Sequence, residues 1–166
     1  MGHTESTSSQ SLNATLPEIL LGLSYNATTG RLSVTIIKGS QLKASGNSNG
    51  TSSGSGNSSK SLDTYVKVTL LSSNGQEIAR SKTSVCRGQP NPYFKETFMF
   101  QVALFQLPDV TLMLLTYSRR NIKRKDLIGW LSFGYNSSGD EQTAHWNDMR
   151  DNRGEQVLRW HILQQS

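Results

Sequence analysis

The apolar residues of this chain recur at every second position in short runs, and that spacing constrains its fold more than any other feature. Arg31-Leu-Ser-Val-Thr-Ile36 sets Leu32, Val34 and Ile36 on one face and Arg31, Ser33 and Thr35 on the other. Tyr65-Val-Lys-Val-Thr-Leu70 repeats the pattern with Val66, Val68 and Leu70, and Thr97-Phe-Met-Phe-Gln-Val102 with Phe98, Phe100 and Val102. Val110–Leu115, Ile128–Phe133 and Gln156–Leu163 complete the set. Turn-forming clusters at Asn26–Gly30, Ser73-Asn74-Gly75 and Gly88-Gln-Pro-Asn-Pro92 separate the runs. Only Gly139–Arg150 has helical spacing, with Trp146 and Met149 on one face. Seven or eight short strands spaced this way predict an antiparallel β-sandwich, and nothing suggests a βαβ unit. Tyr93, Phe98, Phe100 and Trp130 read as core aromatics.

Two segments stand outside this pattern. Residues 1–15 are rich in Ser and Thr without apolar periodicity and read as a disordered tail or a remnant of expression. The start Met1-Gly2-His3-Thr4-Glu5-Ser6 also matches the N-myristoylation pattern. Residues 44–59 contain no charge and no side chain larger than Asn. Nothing there offsets the entropy of ordering it, so it reads as a flexible loop inserted between two strands. Deleting Ser45–Ser59 should leave the fold intact, since loop closure depends only weakly on length. The remaining chain, 16–166, has the length of one domain.

Several chemistries are excluded or disfavoured. No apolar run approaches the roughly 18 residues needed to span a bilayer. The single cysteine, Cys86, excludes an internal disulfide and a Cys-based zinc site, and the chain reads as reduced and cytoplasmic. The sequons at Asn13, Asn26, Asn49, Asn57 and Asn136 then carry no meaning. Outside the tail the only histidines are His145 and His161, which read as structural, and no Gly-x-Ser-x-Gly turn or phosphate loop is present. The residues point to a binding module, not an enzyme, and to no cofactor. A net charge of +5 suits an acidic partner, either lipid headgroups or nucleic acid. The aromatic signature of an RNA-recognition core is missing.

Five motifs carry a resemblance. Leu62-Asp-Thr-Tyr-Val-Lys-Val68, Gly88-Gln-Pro-Asn-Pro-Tyr-Phe-Lys-Glu-Thr-Phe-Met-Phe100 and Lys125-Asp-Leu-Ile-Gly129 are similar to segments of C2 domains. His145-Trp-Asn-Asp-Met149 and Trp160-His-Ile-Leu163 narrow the similarity to the second, or C2B, domain of synaptotagmins. Leu23–Val34 and Phe100–Leu107 most resemble the atypical, calcium-independent branch that includes the fourteenth and sixteenth synaptotagmins. The resemblance implies an all-β, eight-stranded antiparallel Greek-key sandwich with a short helix before the last strand. It implies a trafficking or exocytosis role, at vesicle or plasma membranes, peripheral or tethered through a longer protein. It also makes a homo-oligomer or a trafficking-protein partner plausible, with Trp160, His161 and Leu163 as a docking motif.

Calcium in this family sits among loop aspartates, because a hard dication needs several oxygen ligands. Here the resemblance leaves Asp63 and Asp126, while Ser118 and Arg120 stand where two central aspartates belong and the first-loop aspartate gives way to the insert. A guanidinium about 4 Å from a dication is repelled by roughly 8 kcal/mol at an effective dielectric of 20. The expectation is no functional metal site. Positive charge concentrates instead at Arg119, Arg120, Lys123, Arg124 and Lys125, five cations in seven positions. Near an anionic leaflet each contributes about 1 kcal/mol, so this loop is the expected lipid-binding element. Arg80, Lys82 and Arg87 form a secondary basic patch. The alternatives are a protein-interaction or self-association domain without lipid binding, and nucleic-acid binding through the same loop.

Overall fold

Among the described residues, eight strands and one α-helix realise the alternation: β1 (Glu18–Asn26), β2 (Arg31–Ser40), β3 (Thr64–Leu71), β4 (Glu77–Lys82), β5 (Tyr93–Gln101), β6 (Thr111–Asn121), β7 (Arg124–Gly134), α1 (Asp140–Asp151) and β8 (Val157–Ile162). The computed structural model describes residues 16–43, 62–121 and 123–165. The N-terminal tail and the insert at 44–59 lie outside the described residues.

The strands form two four-stranded antiparallel sheets, ordered β5-β2-β1-β8 and β4-β3-β6-β7. Their inner faces meet as a sandwich. Leu21, Leu23 and Val34 of the first sheet are wholly buried against Val66, Leu112 and Leu131 of the second. Burying one such side chain contributes about 2 kcal/mol, and the run of them holds the sheets together. A short 3-10 turn, Leu104–Asp109, carries the chain from β5 to β6 and buries Leu107.

Strands β1 and β4 carry no clean alternation in sequence. In β1, Ile19, Leu20 and Leu21 are apolar on both faces, although only Ile19, Leu21, Leu23 and Tyr25 point inward without interruption. Strand β4 is an edge whose inward positions are Ala79 and Ser81, so it offers little apolar signal. Two aromatics read as core lie elsewhere. Tyr93 is 57% exposed, because it has the opposite parity to Phe94, Phe98 and Phe100 on β5. Trp130 takes an outward position on β7 between the buried Gly129 and Leu131 and is half-buried. The strand leaves the sheet at Gly134, whose φ of +93° suits a residue without a side chain, since a Cβ would lie 2.5 Å from the Val110 carbonyl oxygen.

Helix α1 closes the side of the sandwich between β7, β1 and β8. Its buried residues are Gln142, His145, Trp146 and Met149. A chain of polar contacts runs from α1 into β8. The Val157 carbonyl can only accept, so His145 Nε2–H donates to it at 2.7 Å. His145 Nδ1 must then accept from His161 Nε2–H at 2.7 Å, and His161 Nδ1 from the Gln142 amide at 2.8 Å. Both rings are neutral in this scheme and every ring nitrogen is satisfied. Phe133 presents its ring edge-on to His161, centroids 5.0 Å apart. Outside this seam Arg159 of β8 pairs with Asp148 of α1.

Burial, reinforced by the Arg159 charge, pushes His145 down to about 4 from 6.5. Burial and the neighbouring His145 push His161 down to about 3. The unfolded chain therefore takes up protons near pH 6.5 while the folded chain resists them. The stabilisation is complete above pH 6.5 and drains away as pH falls through about 4 and then about 3. The urea midpoint should be flat above pH 6.5 and fall steeply below it, and His161→Gln should make that fall shallower. A wild-type midpoint unchanged down to pH 4 would contradict the assignment.

Candidate functional site

Strand β6 outruns the core. Its residues alternate in burial as far as Ser118 at 2% exposure, and then Arg119, Arg120 and Asn121 project into solvent. Strand β7 answers from the other side, pairing Ser118 with Asp126, Arg119 with Lys125 and Asn121 with Arg124. The basic stretch that sequence reads as a loop is thus the end of a β-hairpin, where the ladder shifts register between Arg119 and Asn121. Asn121 Oδ1 accepts the Lys123 amide at 2.8 Å and tightens its tip.

The outer face of the second sheet continues this cationic end. Tyr65 of β3 sits directly opposite Tyr117 of β6, and their rings stack with centroids 5.4 Å apart. Lys125 Nζ lies 4.4 Å from the Tyr117 centroid and Lys82 Nζ 5.8 Å from that of Tyr65. A groove of about 310 Å³ is lined here by Tyr65, Lys82, Arg119, Lys123, Arg124 and Lys125, among others. The charge repulsion that so many cations create is part of what an anion would relieve. Lys82 joins the hairpin by geometry, although 37 positions separate it from Arg119 in the chain. Its remoteness in sequence is why the two were read as different patches.

The other members of the secondary patch separate. Arg80 is exposed and pairs with Glu77 at 3.4 Å. Arg87 lies in a second cavity of about 230 Å³ with Asp63, Val85, Arg119, Arg120 and Asn121. Two of the positions that the resemblance aligns with calcium ligands, Asp63 and Arg120, line this cavity. Asp63 Oδ1 accepts the Gly88 amide at 2.9 Å. Asp126 Oδ2 meets Arg120 Nε at 3.0 Å. Ser118 is turned into the sandwich. Among the described residues no three His, Cys, Asp or Glu side chains converge in a way that could hold a metal ion. The chemistry this end can perform is electrostatic and hydrogen-bonded capture of anions.

The docking motif resolves differently. His161 and Leu163 are 2% and 3% exposed, so they serve the interior and cannot meet a partner. Trp160 reaches the outer face of the first sheet, half-buried, with Lys38 Nζ 5.7 Å from its ring. The parity of β8 explains the split, since alternate residues point in opposite directions.

The two four-stranded antiparallel sheets, closed by a short helix before the last strand, define the class as an all-β sandwich. A C2 domain model matches residues 30–149, and the chain belongs to the C2 domain family. It is 34% identical over 149 residues to synaptotagmin-1 of Homo sapiens, and equally to that of Rattus norvegicus, covering 90% of this chain. It spans only 32% of the length of those relatives. A C2 domain of RIM from Drosophila superposes with a TM-score of 0.63 at 18% identity, over 90% of this chain and 98% of that one. The first C2 domain of human synaptotagmin XIII superposes at 0.56 and 18% identity, over 89% and 86% of the two chains. Among the described residues no helix is long and apolar enough to cross a membrane.

Proposed function

We propose that this domain is a C2B-type module of a membrane-trafficking protein that adheres to acidic phospholipid without calcium. The observation that carries the reading is the groove, where Lys82 of β4 meets the hairpin cations above the stacked Tyr65–Tyr117 pair. An acidic headgroup entering it finds the ammonium and guanidinium donors of Lys82, Arg119, Lys123, Arg124 and Lys125, with Tyr65 beside them. Two contacts of the remnant carboxylates support calcium independence. The Arg120 guanidinium holds the Asp126 carboxylate, and the Gly88 amide holds that of Asp63. Fixed positive charge takes the part that a bound dication would take in relatives. The atypical synaptotagmin branch fits the same substitutions, with Ser118 and Arg120 in place of carboxylates. Membrane adhesion of this kind is weak and salt-sensitive, because exposed charges are screened over about 8–10 Å at physiological ionic strength.

Two measurements test the reading. A ligand stabilises a protein only by binding its native state. Calcium at about millimolar concentration should therefore leave the melting temperature unchanged, and a rise of several degrees would contradict the proposal. In co-sedimentation, the chain should pellet with acidic but not neutral liposomes, and less as salt rises. Replacing Arg119, Arg120, Lys123, Arg124 and Lys125 by Gln removes as many charges as the whole net charge of +5 and should abolish pelleting. The same variant should melt close to wild type, since exposed charges contribute little to folding. Wild-type pelleting indifferent to salt, or a variant that still pellets, would sink the proposal. Competition by duplex DNA at equal phosphate concentration would favour the nucleic-acid reading instead.

A further inference from the structure

We infer that the smaller cavity beside the hairpin is a binding site for a phosphate monoester. Its volume of about 230 Å³ holds one phosphate group with a few waters, each water needing about 30 Å³. Arg87, Arg119 and Arg120 line it with the carboxylate of Asp63, and Asp126, outside the lining, pairs with Arg120. The cavity is therefore net cationic even with both carboxylates counted. A phosphate monoester carries about −1.5 to −2 near pH 7, and a diester only −1. The monoester also presents three terminal oxygens to the guanidinium donors where a diester presents two, so the same lining holds it more strongly. Guanidinium forks suit it geometrically, since each can give two parallel N–H donors to phosphate oxygens.

The backbone that carries the arginines is fixed before any ligand arrives. Thr64 and Cys86 exchange backbone hydrogen bonds of 2.9 and 2.8 Å, which pins the residue before Arg87. The residue after it, Gly88, donates to Asp63 Oδ1 at 2.9 Å with a φ of +62°. The Arg119 amide donates to the Asp63 carbonyl at 2.8 Å. Two of the three arginines thus sit on backbone fastened to one residue, and the third is held by Asp126 at 3.0 Å. Preorganisation of this kind lowers the entropic cost of capture. Arg119 and Asn121 also line the groove, so the cavity opens at the same end of the domain as the proposed lipid surface. For the source of the phosphate the inference rests on the membrane reading: a lipid whose headgroup ends in a monoester, as in phosphatidic acid.

The test begins without membranes. Inorganic phosphate, titrated at constant ionic strength against chloride, should shift the NMR amide signals of Arg87, Gly88 and Arg119. Arg87→Gln should weaken binding roughly tenfold, as expected for loss of a charge-assisted hydrogen bond. Asp63→Asn keeps the acceptor for Gly88 and removes the only opposing charge in the lining, so it should tighten binding. An Arg87→Gln variant that binds phosphate as wild type does, or an Asp63→Asn variant that binds it less, would overturn the site. Vesicles of neutral lipid are then doped with phosphatidic acid or phosphatidylserine to equal surface charge. Wild type should prefer phosphatidic acid, Lys82→Gln should keep the preference, and Arg87→Gln should lose it. Phosphate binding without that preference would overturn the lipid source and assign the cavity to a phosphorylated protein. Phosphate binding with no vesicle adhesion at all would defeat the membrane reading of the groove and leave the cavity standing.

Discussion

The register of β6 is the constraint on which the rest of the molecule depends. This strand pairs on one side with β3 and on the other with β7. Its pleat buries Leu112, Leu114, Thr116 and Ser118 in turn and sends Tyr117 and Arg119 to the outer face. A slip of one residue would turn Arg119 inward and Leu114 outward, exchanging an apolar contact for a buried charge. Gly129 helps to forbid it. It lies opposite Thr116, and a Cβ there would come within 2.6 Å of Leu163 and 2.9 Å of the Gln164 carbonyl oxygen. The segment after β8 therefore closes onto β7 where no side chain intervenes, and the Trp130–Gln164 bridge completes the closure. The same parity that builds the core sends Arg119 outward, where it lines both cavities.

A hairpin that faces Arg119 with Lys125 works against its own stability, because like charges directly across a ladder repel. The structure offsets the repulsion locally. Lys125 lies over the Tyr117 ring, and such a contact contributes about 0.5–1 kcal/mol at an exposed site. Arg120 and Asp126 form a half-exposed ion pair worth at most about 1 kcal/mol. These terms soften the charge without cancelling it, since Asp126 is the only acid between Arg119 and Leu131. The core below, with its run of wholly buried leucines and valines, supplies the stability that lets the excess charge persist. Cation density at this end is thus bought with packing elsewhere.

Much of the fold was legible, because a half-buried strand writes its burial as alternation. Strands β2, β3, β5, β6, β7 and β8 announce themselves this way, and α1 announces itself through Trp146 and Met149. Strand β1 was not legible by period, since Leu20 is apolar on the outward face, and β4 was not because an edge needs few large residues. Tyr93 and Trp130 misled for one reason: aromatic identity says little about which side of the pleat a residue occupies. The cationic cluster was legible as local density, but its shape was not. Pairing of β3 with both β4 and β6 brings Lys82 and Tyr65 to the hairpin, and that is a tertiary fact with no local signature. The histidine seam is similar. His145 and His161 stand sixteen positions apart and read as two isolated structural residues, yet packing of α1 on β8 makes them one hydrogen-bonded unit.

The energetics of the hairpin set how such a module could be used. Five cations at about 1 kcal/mol each give an adhesion of only a few kcal/mol, in the range of millimolar dissociation constants. An isolated domain with that affinity spends most of its time in solution. Attachment to a membrane-held partner or to the rest of a longer chain changes this, because a flexible tether imposes an effective concentration of about the same millimolar order. Occupancy then sits near its midpoint, where it responds most to small changes in binding free energy. On the proposed reading, with arginine where one of a dication's ligands would stand, those changes come from the number of acidic headgroups within reach of the groove and not from calcium. If the cavity of Arg87 and Arg119 takes a phosphate monoester as inferred, they come also from how many headgroups end in one. On that reading control passes from a diffusible ion to the composition of the membrane surface.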